Sequence, residues 1–248
     1  MKAMILAAGL GKRLRPLTDS QPKALIPVSG KPLLYYIIKK LISAGIHQII
    51  INVHHFPELI IDYVQQNKSF DVEIAFSTEK TLLETGGGLK KASWFFNDGH
   101  SFILHNVDIF SEVNLLKMMV FHHQKKSLAT LAVRQRKTSR YLLFNQEDHL
   151  VGWESLDIKK KEVIHPETLD PEYLSFMGIH IISPDIFPLL PKKDIFSIID
   201  AYLDLAAKGH KIVGYRNDGG YWIDLGKKEN LQNAERYLSS IRNERDEE

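Results

Sequence analysis

A short apolar segment near the start of the chain runs directly into a loop rich in glycine and basic residues. The apolar residues are AMILA (residues 3–7), and the loop reads LAAGLGKRLRPLT (residues 6–18). Since glycine has no Cβ, the backbone N–H groups around Gly9 and Gly11 can approach a polyphosphate closely, and Arg13 can neutralise its charge. The stretch therefore predicts a buried strand that ends in an anion-binding loop.

This loop differs from two familiar phosphate-binding patterns. The dinucleotide fingerprint G-x-G-x-x-G needs a third glycine where this chain has Leu14. The pattern G-x-x-x-x-G-K-[ST] has no match anywhere in the chain. What remains is G-x-G-x-R followed by P-x-T and PKALIPV, with Lys23 as a further cation. The alternative to an anion-binding loop is a tight turn whose basic residues are simply solvated.

The pattern of apolar residues predicts the fold class. The strand-like runs QIIINV, VEIAFS, FILHNVDIF and LATLAV alternate with the helix-like runs LLYYIIKKLISAG, PELIIDYVQQN and VNLLKMMVFHHQ. This alternation is typical of an α/β fold, here a Rossmann-like, doubly wound, mostly parallel (mixed) sheet. After residue 133 strands dominate, beginning with a hairpin in RYLLFNQEDHLVGWES. We therefore expect one domain over residues 1–242, with halves 1–133 and 134–242, and a charged tail over 243–248.

Composition argues against several classes of protein. The 248 residues carry a formal net charge of +2, which gives no indication of a nucleic-acid partner. The chain has no cysteine, which excludes disulfides and thiolate metal sites. No apolar stretch reaches the roughly 18 residues of a membrane span, and the apolar run at the start is too short for a signal peptide. We expect a soluble, cytoplasmic protein without a membrane partner.

Four motifs carry a resemblance to a known family. LAAGLGKRLRPLT with PKALIPVSGKPLL, then ETGGGL, HNVD and YWIDLG, follow one another in the order found in sugar-1-phosphate nucleotidyltransferases, the NDP-sugar pyrophosphorylases. The resemblance covers residues 1 to about 238. ETGGG and the short chain are most similar to bacterial N-acetylmuramate 1-phosphate uridylyltransferases, although heptose 1-phosphate guanylyltransferases carry similar elements. The resemblance implies the nucleotide-diphospho-sugar transferase fold, with a nucleotide-binding half and a β-richer sugar-binding half.

The resemblance also implies a reaction. A nucleoside triphosphate, with UTP favoured, would transfer its nucleotidyl group to a sugar 1-phosphate, forming an NDP-sugar such as UDP-N-acetylmuramate and releasing pyrophosphate. Arg13 would bind the departing pyrophosphate, and Lys23 would contact the α-phosphate. The alternatives are a guanylyltransferase acting on mannose or heptose 1-phosphate and a non-catalytic regulatory protein that binds a sugar nucleotide. In each case we expect a monomer or a small homo-oligomer.

Two acidic residues are the expected metal ligands. Asp108 follows an apolar strand, at the end of a strand where ligands bind in open α/β sheets, and Asp224 lies in the aromatic setting of WIDLG. In the family positions, both carboxylates would lie near the triphosphate oxygens. Two carboxylates with phosphate oxygens suit Mg²⁺. Catalysis is therefore assigned to Arg13, Lys23, Asp108 and Asp224.

The nucleotide-binding residues are also assigned from the family motifs. ETGGG is expected to lie against the base, and small alanines would line the nucleoside pocket. The alternative for ETGGG is a glycine-rich turn before a helix that begins at Leu89. The full set is Leu6, Ala7, Ala8, Gly9, Gly11, Lys12, Arg13, Lys23, Glu84, Thr85, Gly87, Gly88 and Asn106.

The sugar side departs from the family pattern. Many members carry an E-K-P-like element whose lysine meets the sugar phosphate, and this chain has none near LVGWESLDIKK. The cation is expected instead from RQRKTSR, with Arg140 the best candidate. Trp153 either stacks on a sugar or belongs to the core. The predicted sugar-phosphate residues are Arg140, Gly152, Glu154, Phe176 and Gly178.

Overall fold

The computed structural model describes residues 1–246, with side chains for residues 1–240. The strands are β1 (Lys2–Leu6), β2 (Pro27–Val28), β3 (Lys31–Pro32), β4 (Gln48–Val53), β5 (Glu73–Thr78), β6 (Phe102–Asn106), β7 (Ile109–Ser111), β8 (Ala129–Arg134), β9 (Arg140–Phe144), β10 (Leu150–Ser155), β11 (Lys160–Val163), β12 (Glu172–Ile182), β13 (Ile212–Arg216) and β14 (Trp222–Asp224). The α-helices are α1 (Leu33–Ser43), α2 (Pro57–Gln66), α3 (Glu84–Lys91), α4 (Leu115–Lys125), α5 (Ile198–Ala207) and α6 (Lys228–Asp246).

The predicted α/β fold class is confirmed. Strands β4 and β5 pair in parallel, as do β8 and β13, whereas β8 with β12 and β9 with β10 pair antiparallel. The sheet is therefore mixed, with its antiparallel pairs concentrated after residue 133, as the strand-rich sequence pattern indicates. No described helix combines the length and the apolar character needed to cross a membrane.

Two local predictions are wrong. FILHNVDIF does not form one strand, because β6 ends at Asn106 and the chain turns at Val107 and Asp108 before β7 begins. The turn is needed because β7 pairs with β14, a partner more than a hundred residues away in sequence. The helix expected from Leu89 begins at Glu84, so ETGGG is the first part of α3.

Contacts within the chain define two compact units that interleave along the sequence. Unit I contains Ala3–Leu82, His105–Glu112 and Tyr221–Glu248. Unit II contains Met1–Lys2, Leu83–Leu104 and Val113–Gly220. The expected single domain with halves divided at residue 133 stays a prediction. Helix α6 continues to Asp246, and the rest of the predicted charged tail (243–248) lies outside the described residues.

Unit I places the glycine-rich loop beside the ends of parallel strands. Its strand order is β1-β4-β5, and Ile49 to Val53 of β4 are all buried, which explains the continuous apolar run in the sequence. The Ala7 N–H donates to the Asn52 carbonyl at 3.0 Å, so the chain leaves β1 beside the carboxyl end of β4. The loop therefore begins at the edge where open α/β sheets bind ligands.

Unit II contains an antiparallel arrangement with a bend in its longest strand. The order is β11-β10-β9-β12, with β8 beside β12 and β13 beside β8. The pairing of β12 with β8 shifts register between Phe176 and His180. Gly178 lies within this irregularity at φ +78°, a left-handed conformation that glycine adopts at little cost. After the bend, at His180, the side-chain Nδ1 lies 3.0 Å from the Tyr202 hydroxyl of α5, and both residues are buried.

Helix α3 packs its glycines against the segment that precedes α5. The N–H groups of Gly86 and Gly87 donate to the Phe196 carbonyl at 2.9 and 3.2 Å. A Cβ on Gly87 would overlap with the carbonyl oxygen of Asp194. The Ile198 N–H donates to the Thr85 hydroxyl at 3.0 Å. These contacts set where α5 begins.

We predict that Gly87→Ala lowers the free energy of unfolding by about 2 kcal/mol, because a methyl group meets backbone that cannot move cheaply. Gly219→Ala is the matched control, since no atom lies within 4 Å of its Cβ position. Urea denaturation of both variants measures the difference. Equal midpoints for the two variants would contradict the packing argument.

Candidate active site

The loop after β1 folds back on Thr18. The Thr18 hydroxyl donates to the Gly11 carbonyl at 3.0 Å, and a Cβ on Gly11 would lie 2.7 Å from the Thr18 methyl carbon. Gly11 has φ +62°, which adds a second reason for glycine at this position. This fold leaves Lys12 and Arg13 exposed at the tip of the loop.

Lys23 and Asp108 form a salt bridge within unit I. Lys23 Nζ contacts Asp108 Oδ2, and their side chains are only 10% and 20% exposed. Asp108 lies in the turn between β6 and β7, which directs it away from the strand path. Because the pair is largely buried, each charge depends on the other for compensation.

Arg13 and Asp224 form a second, more exposed pair. Arg13 Nη2 lies 3.6 Å from Asp224 Oδ2, with the two side chains 59% and 31% exposed. The Gly226 N–H donates to Asp224 Oδ1 at 2.7 Å, and a Cβ on Gly226 would overlap with the Arg13 guanidinium. Gly226 was not among the predicted site residues, although it closes the YWIDLG motif. Its role is to let Arg13 reach the acidic residue.

The two carboxylates come together because β7 and β14 form an antiparallel ribbon. Ile109, which follows Asp108, is opposite Asp224 in the register. The Leu225 N–H donates to the Asp108 carbonyl at 2.8 Å. The β7–β14 ribbon thus unites two acidic residues far apart in sequence and places a basic residue beside each.

Helix α6 supports this ribbon through contacts that the sequence motifs did not reveal. The rings of Tyr221 and Tyr237 stack at 3.6 Å, almost parallel. The Tyr237 hydroxyl and the Tyr221 N–H both donate to the Glu112 carboxylate, and these hydrogen bonds lower the pKa of Glu112. Helix α1 also supports the ribbon, since Lys40 Nζ donates to the carbonyl of Ser111, the last residue of β7, at 2.6 Å. Burial lowers the pKa of Lys40 to about 8, opposed by the nearby Glu112 charge.

The donor set of the ribbon suits one type of metal ion. No group of three or more metal-binding side chains occurs in the part of the chain that the structure describes. Mg²⁺ is commonly held by one or two carboxylates, with substrate phosphates and water completing its shell. Asp108 and Asp224 therefore fit a Mg²⁺ ion that binds together with a triphosphate, and their role as ligands stays a prediction.

The remaining predicted nucleotide-binding residues fall into two groups. Leu6, Ala7, Ala8, Gly9 and Asn106 belong to unit I, at or just beyond the ends of β1 and β6. Glu84, Thr85, Gly87 and Gly88 belong to unit II, in the first turns of α3. Gly87 lets the helix backbone approach the Asp194 carbonyl closely. The glycines of ETGGG, which are predicted from the sequence to contact the base, therefore also have a packing role.

Two of the predicted sugar-phosphate residues line one cavity in unit II. This cavity of about 300 Å³ is lined by Arg140, Tyr141, Leu142, Trp153, Phe176, Ser197, Ile199 and Asp200. Trp153 is half-buried and faces the cavity rather than the core. Gly152, Glu154 and Gly178 lie on neighbouring strand positions outside the lining. Gly152 is required instead by β11, since a Cβ there would overlap with the Glu162 carbonyl.

We predict different stability costs for the two basic residues. Lys23→Met should lower the free energy of unfolding by about 3 kcal/mol, because Asp108 would lose its partner in a largely buried setting. Arg13→Gln should cost less than about 1 kcal/mol, since its pair is exposed and screened by solvent. Urea denaturation without ligands compares the two variants. An equal cost for both would show that the Lys23–Asp108 pair is not what stabilises the turn.

Comparisons with known proteins show which family this chain belongs to. The model of the family described as nucleotidyl transferase matches residues 2–240. The chain is 30% identical to UTP–glucose-1-phosphate uridylyltransferase of Synechocystis and 29% identical to mannose-1-phosphate guanyltransferase of Yarrowia lipolytica. These matches cover 92% and 97% of this chain, but this chain spans only 60% and 65% of those relatives. N-acetylmuramate alpha-1-phosphate uridylyltransferase of Caulobacter vibrioides is 29% identical, with 90% and 91% covered.

Solved structures show the same fold. HddC from Yersinia pseudotuberculosis, in a complex with GMP-PN, superposes with a TM-score of 0.76 at 24% identity. The match covers 96% of this chain and 99% of HddC. At this identity the likeness establishes the fold.

Proposed function

The chain belongs to the nucleotidyl transferase family, and from this premise we propose that it transfers a nucleotidyl group to a sugar 1-phosphate. The products are an NDP-sugar and pyrophosphate. The observation that carries the proposal is the pairing at the β7–β14 ribbon, where Lys23 accompanies Asp108 and Arg13 accompanies Asp224. Nucleotidyl transfer needs positive charge and accurate positioning more than covalent help from the protein, and this site offers both.

Each residue of the site has a role in this proposal. A phosphate oxygen of the sugar 1-phosphate attacks the α-phosphorus, and the bond to the bridging oxygen of the pyrophosphate breaks in line. Lys23 stabilises the charge at the α-phosphate, and Arg13, with the N–H groups of Gly9 to Lys12, binds the pyrophosphate. Mg²⁺, bound by Asp108 and Asp224, would supply further positive charge at the phosphates. In its absence, Lys23 and Arg13 keep these carboxylates neutralised.

We favour UTP as the donor and a hexose-type 1-phosphate as the acceptor. N-acetylmuramate 1-phosphate is one candidate acceptor, supported by a relative that matches this chain over nine-tenths of both lengths. GTP with mannose 1-phosphate is the second candidate, supported by a guanyltransferase relative at the same identity. The monomeric or small oligomeric state and the cytoplasmic location stay predictions.

A non-catalytic sugar-nucleotide-binding protein remains the alternative from another class. Such a protein could lose its catalytic charges without losing its fold. The paired residues of the ribbon support turnover instead, because a protein that only binds a sugar nucleotide needs cations for its diphosphate but not two carboxylates beside them.

The donor can be identified by a thermal-shift screen of UTP, GTP, CTP and dTTP with Mg²⁺. A ligand at 100 times its dissociation constant stabilises the folded state by about 2.7 kcal/mol, which is readily measured. We expect the largest shift with UTP. A larger shift with GTP would move the proposal to the guanylyl alternative.

Turnover is tested by pyrophosphate release with a panel of sugar 1-phosphates. We predict that Asp108→Asn and Asp224→Asn each reduce kcat by about 100-fold or more, because each removes charge that organises the transition state. Asp62→Asn is the control, since Asp62 is exposed on α2 of the same unit. Normal rates in both site variants would rule out the metal assignment, and no release by the wild type with any nucleotide would favour the binding protein.

A further inference from the structure

The cavity of unit II has two charged residues of opposite sign in a lining that, apart from Ser197, is aromatic and aliphatic. Arg140 stands at the first position of β9, and Asp200 is the third residue of α5. Three rings, those of Tyr141, Trp153 and Phe176, line the same space. Aromatic faces suit the C–H faces of a pyranose, and a few polar groups fix orientation in such pockets.

Neither charged side chain of this cavity is used by the protein itself. Among the side chains that the structure describes, Arg140 and Asp200 take part in no salt bridge or side-chain hydrogen bond, although they line one cavity of about 300 Å³. Other charged residues of the same region are paired, such as Arg216 with Glu172 at 2.8 Å. Two unpaired charges in one cavity are available to a ligand.

The position of Asp200 in its helix does not account for it. Ser197 caps α5, and its side chain accepts from the Ile199 N–H at 3.2 Å. Asp200 stands where the acidic member of a capping box would return a hydrogen bond to the backbone N–H of the cap residue. In the described part of the chain Asp200 makes no such bond, so its carboxylate remains free to face the cavity.

We propose that Asp200 determines acceptor specificity by accepting hydrogen bonds from sugar hydroxyls and by repelling acceptors that carry a carboxylate. This inference rests on the proposed function. With the sugar phosphate at Arg140, the opposite charge at Asp200 meets the ring substituents. A carboxylate accepts from hydroxyl groups but has no donor for another carboxylate, and like charges brought close together repel. The acceptor class is therefore a neutral hexose 1-phosphate, in preference to N-acetylmuramate 1-phosphate or a uronic acid 1-phosphate.

The proposal is tested by binding, which does not depend on turnover. Calorimetry with the full chain compares UDP-glucose with UDP-glucuronate, which differ by one carboxylate, and with UDP-N-acetylmuramate; UDP alone reports the nucleotide contribution. GDP-mannose and GDP-mannuronate replace them if the donor screen selects guanine. We expect the wild type to bind the neutral sugar nucleotide at least tenfold more tightly than the acidic ones. Asp200→Asn should reduce this preference to less than threefold and leave the affinity for the nucleoside diphosphate unchanged.

Asp204→Asn is the matched control, since Asp204 lies on the same helix, pairs with Lys208 at 2.6 Å and does not line the cavity. It removes the same charge and should leave the preference as in the wild type. An unchanged preference in Asp200→Asn, with or without a lower melting temperature, would overturn the proposal, as would a wild type that binds the acidic sugars equally well. These results are separate from the proposed function, which fails only if pyrophosphate release is absent.

Discussion

The salt bridge between Lys23 and Asp108 is the interaction on which the arrangement of unit I depends. It joins the segment after the glycine-rich loop to the turn between β6 and β7. The same turn is bonded through its backbone to Leu225 at the end of β14. Three distant segments therefore meet at one aspartate, and the charge of that aspartate could not be buried there without its lysine. Support from α6 and from Lys40 keeps the β7–β14 ribbon in place around it.

This pairing has a consequence for the proposed chemistry. The groups that would hold a triphosphate and its metal are paired with one another when no ligand is bound. A ligand must therefore replace two ion pairs, of which one is buried and one is exposed. The exposed Arg13–Asp224 pair is easily exchanged for contacts with phosphate, whereas the Lys23–Asp108 pair can be exchanged only if the ligand compensates both charges. Such a site favours ligands that carry negative charge and a cation together.

Most elements could be predicted from the sequence, because continuous apolar runs and helical spacing are local signals. The errors occur where the local structure depends on a contact with a segment that is distant in sequence. Strand β6 ends at Asn106, and Asp108 lies in a turn, because β14 pairs with the residues that follow Asp108. ETGGG is helical because α3 must pack closely on the Asp194 carbonyl, which glycine alone permits. Of the expected sugar residues, Arg140 and Phe176 line the cavity, whereas Gly152, Glu154 and Gly178 do not. Asp200 was missed because it resembles an ordinary helix-start residue.

The sequence by itself determined the family and the α/β fold class, and it singled out four charged residues as candidates for the site. These results follow from motifs, which can be recognised without knowing which residues are in contact. The tertiary structure alone decided which charges face each other. A motif does not specify which basic residue its carboxylate will contact. That partner is set by the strand register and by the position at which a turn interrupts a strand. Only the folded chain therefore pairs Lys23 with Asp108 and Arg13 with Asp224. Only the folded chain leaves Arg140 and Asp200 unpaired in one cavity, because packing of α3 against the start of α5 places that helix there.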